Sequence, residues 1–184
     1  MINLKPFFSF LLLIVALGAV STETQGQSRE HLTPQEIELI KEAQILDKRI
    51  DIFIKALERR LLAINGTAAA NAKQLKKDAE KWGELPTGSK ADLVSDIARI
   101  LDEAITNIDD VSARDERNPL IPKALRRLVQ AVNNVQSQLA PLKEQMKSPA
   151  EVASFELLEE DVQSILEAAK KLPPDVDKKA KNKQ

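Results

Sequence analysis

From residue 33 onward the chain repeats one pattern: apolar residues three and four positions apart, with charged and amide side chains between them. That spacing matches the helical turn and lines one face of an amphipathic helix. The first stripe holds Leu39, Ala43, Leu46, Ile50, Phe53, Leu57, Leu61 and Ile64. It opens at Thr33-Pro34-Gln35-Glu36, where Thr33 can cap, Pro34 suits the first helical position and Glu36 can return a bond to the cap's amide. Asn65-Gly66 closes it, so the pattern predicts one helix from 33 to 64. A second stripe, from Val94 through Ile97, Leu101, Ala104 and Ile108 to Val111, begins at Ser89 with Asp92 as capping partner and stops near Ser112. The third runs from Ile121 to Met146 after Asn118-Pro119, and Pro141 inside it removes the bond to the Ser137 carbonyl, which predicts a kink or an end. The fourth, Val152, Phe155, Leu158, Val162, Ile165, Ala169 and Leu172, starts at Ser148-Pro149-Ala150-Glu151 and stops at Pro173-Pro174.

Between the first two stripes, Thr67 to Lys81 keeps the spacing with the smaller residues Ala68, Ala72, Leu75 and Ala79 before Trp82, a short and weaker helix. Residues 83–88, with Pro86, form a loop. The expected fold is therefore all-α: an antiparallel bundle of about four long amphipathic helices at shallow crossing angles, with a short fifth helix left open. This bundle domain spans 33–173, and the Lys-rich tail 174–184, without apolar periodicity, is expected to be disordered.

The N-terminus reads differently. Lys5 precedes the apolar run Phe7–Val20, and Ala19-Val20-Ser21 supplies small residues for cleavage, so 1–21 is read as a signal peptide, with Gly26 as the later cleavage point. A 14-residue apolar run is short against the roughly 20 needed to span a bilayer, which places an uncleaved N-terminal anchor second. Residues 22–32 would be a flexible lead-in. The protein is accordingly expected to be exported, periplasmic or secreted, with no stable membrane span once the signal is removed.

Composition narrows the chemistry. There is no Cys and one His, His31, which rules out thiol chemistry and leaves no paired nitrogen ligands for a di-metal bundle. Asp109, Asp110, Asp115 and Glu116 lack calcium-loop spacing and read as solvated charge. With no Tyr and no His in a periodic element, nucleophilic catalysis has no base, and no Gly-rich phosphate loop is present. Carboxylate acid/base chemistry is permitted by residue type, but Phe53, Trp82 and Phe155 are the only aromatics after the leader, too few for a sugar platform. A formal net charge of −1 gives no steering toward nucleic acid, and the pairs Arg59-Arg60, Lys76-Lys77 and Arg126-Arg127 read as solvated helix flanks. Asn65-Gly66-Thr67 fits the N-glycosylation pattern, which matters only in a eukaryotic secretory pathway. No catalytic, cofactor-binding or metal-binding residue is assigned.

One feature is left over by the core stripes. At 100° per residue, Ile37, Ile45 and Ile52 fall on the back of the first helix, with Leu62 near the edge of the same arc. Aligned, they would make an apolar strip covered by the Thr67–Lys81 segment, covered by a second copy, or open as an interaction face for a partner. Finally, Leu32-Thr33-Pro34-Gln35-Glu36 resembles the Leu-Thr-x-x-Gln signature of small helical periplasmic stress proteins of the Spy and CpxP type, with Gln35 one place early. That resemblance implies a chaperone or sensor-inhibitor role. The expected function is an exported, non-enzymatic bundle acting on an unknown protein partner, by self-association, or structurally in the envelope. A chaperone-like module and a carboxylate hydrolase stand behind it.

Overall fold

The computed structural model describes residues 29–67 and 71–172, and its regular structure there is entirely helical. Six helices follow one another: α1 Pro34–Glu42, α2 Leu46–Ile64, α3 Ala72–Trp82, α4 Lys90–Arg114, α5 Leu120–Lys143 and α6 Pro149–Lys170. Their starts are chemically marked. Thr33, Ser89 and Ser148 each accept from the backbone N–H three residues on, and Glu36, Asp92 and Glu151 each bond back to the cap's amide, three complete capping boxes. α5 starts differently, with the Leu120 N–H donating to the Asn118 side chain at 3.0 Å. It runs two residues past Pro141 and ends, so the proline marks the helix end.

The first stripe does not form one helix. The chain leaves helical geometry at Ala43 (φ −78°, ψ 89°) and re-enters after the extended Ile45, with the Arg49 Nε–H donating to the Ala43 carbonyl at 2.9 Å. α1 thereby doubles back along α2. A continuous helix would hold Glu36 and Arg59 roughly 35 Å apart along its axis, whereas Arg59 Nε lies 3.1 Å from Glu36 Oε1. The lead-in also differs from expectation at its end: Leu32 is buried in the core and Arg29 and His31 are bonded to α4, while 22–28 fall outside the described residues. The signal segment 1–21 and the tail 174–184 fall outside them as well.

α2 packs on α4, α4 on α6, α6 on α5, and α5 on α2. Arg49 meets Asn107 and Arg60 approaches Asp96, so α2 and α4 run in opposite directions. Asp47 meets Lys123, Asp51 meets Arg127 and Asn65 meets Gln138, so α2 and α5 run the same way. The four long helices α2, α4, α5 and α6 thus alternate in direction along the chain, but the lateral pairs α2/α5 and α4/α6 are parallel, because residues 115–119 carry the chain from α4 across to the far side of α2. The core is the meeting of the predicted stripes: Ile50, Phe53, Val94, Ile97, Leu101, Ala104, Leu128, Val132 and Val162 are fully excluded from solvent. α4, touched by α2, α5 and α6, buries Leu93, Ala98 and Ile100 beyond its single stripe. Val152, expected on the α6 stripe, is 42% exposed in the opening turn of that helix.

Candidate functional site

The most unusual place in the molecule is polar and buried. Arg59 and Arg60 are each 1% exposed and Glu36 is fully buried. The expectation that this arginine pair lies on a solvated flank is therefore corrected. The reason is visible in the register of α2: Arg60 comes seven residues after Phe53 and four before Ile64, which is a core position, and the folded-back α1 supplies its hydrogen-bonded counter-charge, Glu36.

Each guanidinium reaches a different element. Arg60 donates from Nη1 to Glu36 Oε1 at 2.6 Å and to the Ala56 carbonyl at 3.0 Å, and from Nη2 to the His31 carbonyl at 2.5 Å. Arg59 donates to Glu36 Oε1 and, from Nη2, to the carbonyls of Trp82 at 3.0 Å, Gly83 at 3.2 Å and Glu84, gathering the end of α3 and the following loop. Its guanidinium carbon also stands 5.9 Å from the centre of the Trp82 ring, within cation–π range. Trp82, the one aromatic outside the predicted stripes, is itself buried. Glu36 Oε2 meanwhile accepts from the Thr33 N–H at 2.9 Å, so one carboxylate serves both as capping partner and as counter-ion to two arginines. Gly83 (φ 67°) permits the close approach, since a Cβ there would come within 2.9 Å of the Gln35 side chain.

Further charges continue from the cluster toward α4. Arg29 donates to Asp96 Oδ1 at 2.8 Å and to the Thr87 carbonyl at 2.5 Å, and His31 Nε2 is 2.7 Å from Glu103 Oε1. Arg60 Nε and Asp96 Oδ2, both buried and without a hydrogen-bond partner among the described residues, face each other at 3.9 Å. Burial is the largest influence on both titrating members. It pushes the Asp96 carboxyl above its ordinary value against the pull of Arg29 and Arg60, and lowers Arg59 against the support of Glu36. Beside this cluster lies an open cleft of about 590 Å³, lined by Arg29, Leu32, Thr33, Gln35, Arg60 and Pro86 among others.

The four residues of the expected interaction face separate. Ile37 is half-buried and packs against the core from α1; Ile52 and Leu62 are half-buried on α2, and Leu62 helps line a shallow groove of about 210 Å³ with Asn134 and Gln138. Ile45 stands 55% exposed in the break between α1 and α2. α3 reaches α2 through the Lys55–Asp78 pair at 3.4 Å and through Arg59, residues in the same roughly 80° arc as Ile52 and Leu62. The outer layer of α1 and α3 therefore borders this face, while Ile45 at its far end stays open. Asp109, Asp110, Asp115 and Glu116 are exposed, and among the described residues no group of three or more His, Asp or Glu is gathered as a metal site.

The buried clamp escaped sequence reading because charge was weighed by neighbours in the chain; Arg60 at a stripe position was the available signal. Among the described residues no helix is long and apolar enough to cross a membrane. No protein-family model, curated protein or solved structure matches the chain.

Proposed function

We propose that the chain is an exported, non-enzymatic helical protein that works at the cell envelope by binding another protein or by a structural role. In this reading α2, α4, α5 and α6 are the bundle proper, and α1 with α3 is an outer layer. The observation that carries it is the arrangement of the buried charges: Glu36, Arg59 and Arg60 bond to one another and to backbone carbonyls, an arrangement that fixes α1 and the 83–88 loop. Those groups are occupied with holding the fold, which leaves recognition to the surface, where Ile45 is 55% exposed. Lys5 and the apolar run Phe7–Val20 support export.

Two measurements test this together. Fractionation with N-terminal sequencing should find the chain in the envelope, beginning between residues 22 and 27, and crosslinking there should give a defined partner that Ile45→Glu loses. An intact chain in the cytoplasm would overturn the reading. A chaperone-like role draws support from the apolar groove of about 160 Å³ between α5 and α6, lined by Leu139, Ala140, Phe155, Leu158 and Val162. It requires suppression of client aggregation that a polar replacement of Ala140 abolishes. Carboxylate hydrolysis would have to use Asp161, held near pH 6 beside Asp102, and neither residue lines the clefts described above.

A further inference from the structure

α3 gathers several outward-facing lysines that have no counter-ion among the described residues. Elsewhere Lys41 meets Glu38, Lys55 meets Asp78, Lys123 meets Asp47 and Lys143 meets Glu159, and the exposed, unpaired Lys48, Lys90 and Lys170 lie on three different helices. On α3, Lys73, Lys76 and Lys77 are exposed and form no ion pair with the described residues, and Lys81 is exposed beside the Trp82 ring. At 100° per residue these four lysines fall within an arc of roughly 140°, opposite the inward Leu75, Asp78 and Trp82. They extend over roughly 12 Å of helix, and Glu80 is the only acid among them. The chain as a whole carries a formal charge of −1, so this is a local concentration of positive charge on a protein without a general one.

We infer that the outer face of α3 is a docking surface for an anionic phospholipid bilayer. Charge complementarity selects an anionic partner, and a group of four lysines lies at the lower end of the number that holds a helix on an anionic leaflet. The lack of an exposed ring on α3 selects a membrane over a nucleic acid. A nucleic-acid surface would want exposed aromatic rings for stacking, and the only ring on α3, Trp82, is buried beneath Arg59.

The test uses the purified full-length chain with phosphatidylcholine vesicles, with and without phosphatidylglycerol. The apolar run binds both, so the readout is the ratio of the two partition constants. Replacing Lys73, Lys76 and Lys77 by Gln should lower that ratio roughly a hundredfold, from about 1 kcal/mol per lysine at an anionic surface. High salt should do the same to the unaltered chain. Replacing the tail residues Lys178, Lys179, Lys181 and Lys183 by Gln should leave most of the ratio in place. The proposal is overturned by a ratio near one in the unaltered chain, by loss of the ratio in the tail variant rather than the α3 variant, or by preferential binding of a single-stranded oligonucleotide. Because only purified chain and lipid are used, none of these results bears on whether the protein is exported or has a protein partner.

Discussion

Glu36 carries two duties that normally fall to separate residues. Its Oε2 satisfies the amide at the start of α1, and its Oε1 is shared by Arg59 and Arg60 at 3.1 and 2.6 Å. The sequence discloses the first duty, since Thr33 and Glu36 are three apart; the second depends on a residue more than 20 positions away. Removing the carboxylate leaves buried Arg59 without its ion-pair partner and buried Arg60 with Asp96 alone, 3.9 Å away, so Glu36→Ala should lower the free energy of unfolding in urea by about 3–5 kcal/mol. Thr33→Ala, which removes only the cap's side chain, should cost about 1 kcal/mol. Equal losses in the two variants would show that Glu36 is a capping residue and nothing more. Asp161 makes the pH-dependent case. Burial first, then Asp102 and Glu160, raise its carboxyl from 3.8 to about 6. A raised folded-state value means that the folded chain holds the proton more tightly. The stability this contributes is complete below pH 3.8 and is lost as pH rises through about 6. Asp47 works in the opposite sense, held down by the hydrogen bond from Lys123, but its contribution is lost only below the ordinary carboxylate value, outside that window. The thermal midpoint of Asp161→Asn should therefore gain on that of the unaltered chain between pH 4 and pH 7, and a constant difference across that range would count against the raised carboxyl.

Helix starts were legible because capping is local: Ser89 with Asp92 and Ser148 with Glu151 announce α4 and α6 within four residues. The division of the first stripe was not, because Ala43-Gln44-Ile45 contains neither Pro nor Gly and continues the apolar spacing. What breaks the helix there is tertiary, namely the return of α1 along α2 so that Glu36 reaches the arginines. The break leaves a local imperfection. Ile45 is the N-cap of α2 in extended geometry (φ −95°, ψ 129°), with no side-chain bond to the first-turn amides and over half of its surface in water. Isoleucine is a poor residue for that position and serine a good one. Ile45→Ser should therefore stabilise the protein by about 1 kcal/mol in chemical denaturation, with an unchanged dependence on denaturant. A loss of stability instead would mean that Ile45 makes apolar contacts that outweigh the missing cap.

At the scale of the whole molecule, the stripes disclosed that the chain is helical and which residues meet in the core, since Phe53, Leu128 and Val162 are buried as their spacing required. They could not disclose the order of the helices around it, because a three-four stripe on α2 packs as well against a parallel α5 as against an antiparallel one. The outer layer also follows a different rule from the core. α4 is packed against three other helices and fully buries Ile97, Ile100, Leu101 and Ala104. α3 buries Trp82 alone, has no contact with α4, α5 or α6 at the level of its backbone, and is attached through Arg59, the Lys55–Asp78 pair and α1. An element held by so little apolar surface can open while the rest stays folded. Native-state hydrogen exchange should therefore separate the two. Amides of Leu75 to Lys81 should exchange through a local opening that is nearly independent of denaturant. Those of Ile97 to Ala104 should exchange only with global unfolding and share its denaturant dependence. Because α3 meets the cluster through Arg59 and has no bond to Glu36 itself, Glu36→Ala should speed exchange in α4 by lowering global stability while leaving the free energy of the α3 opening less affected. Equal protection in α3 and α4 would show instead that the outer layer and the bundle fold as one cooperative unit, with the arginine clamp as the joint between them.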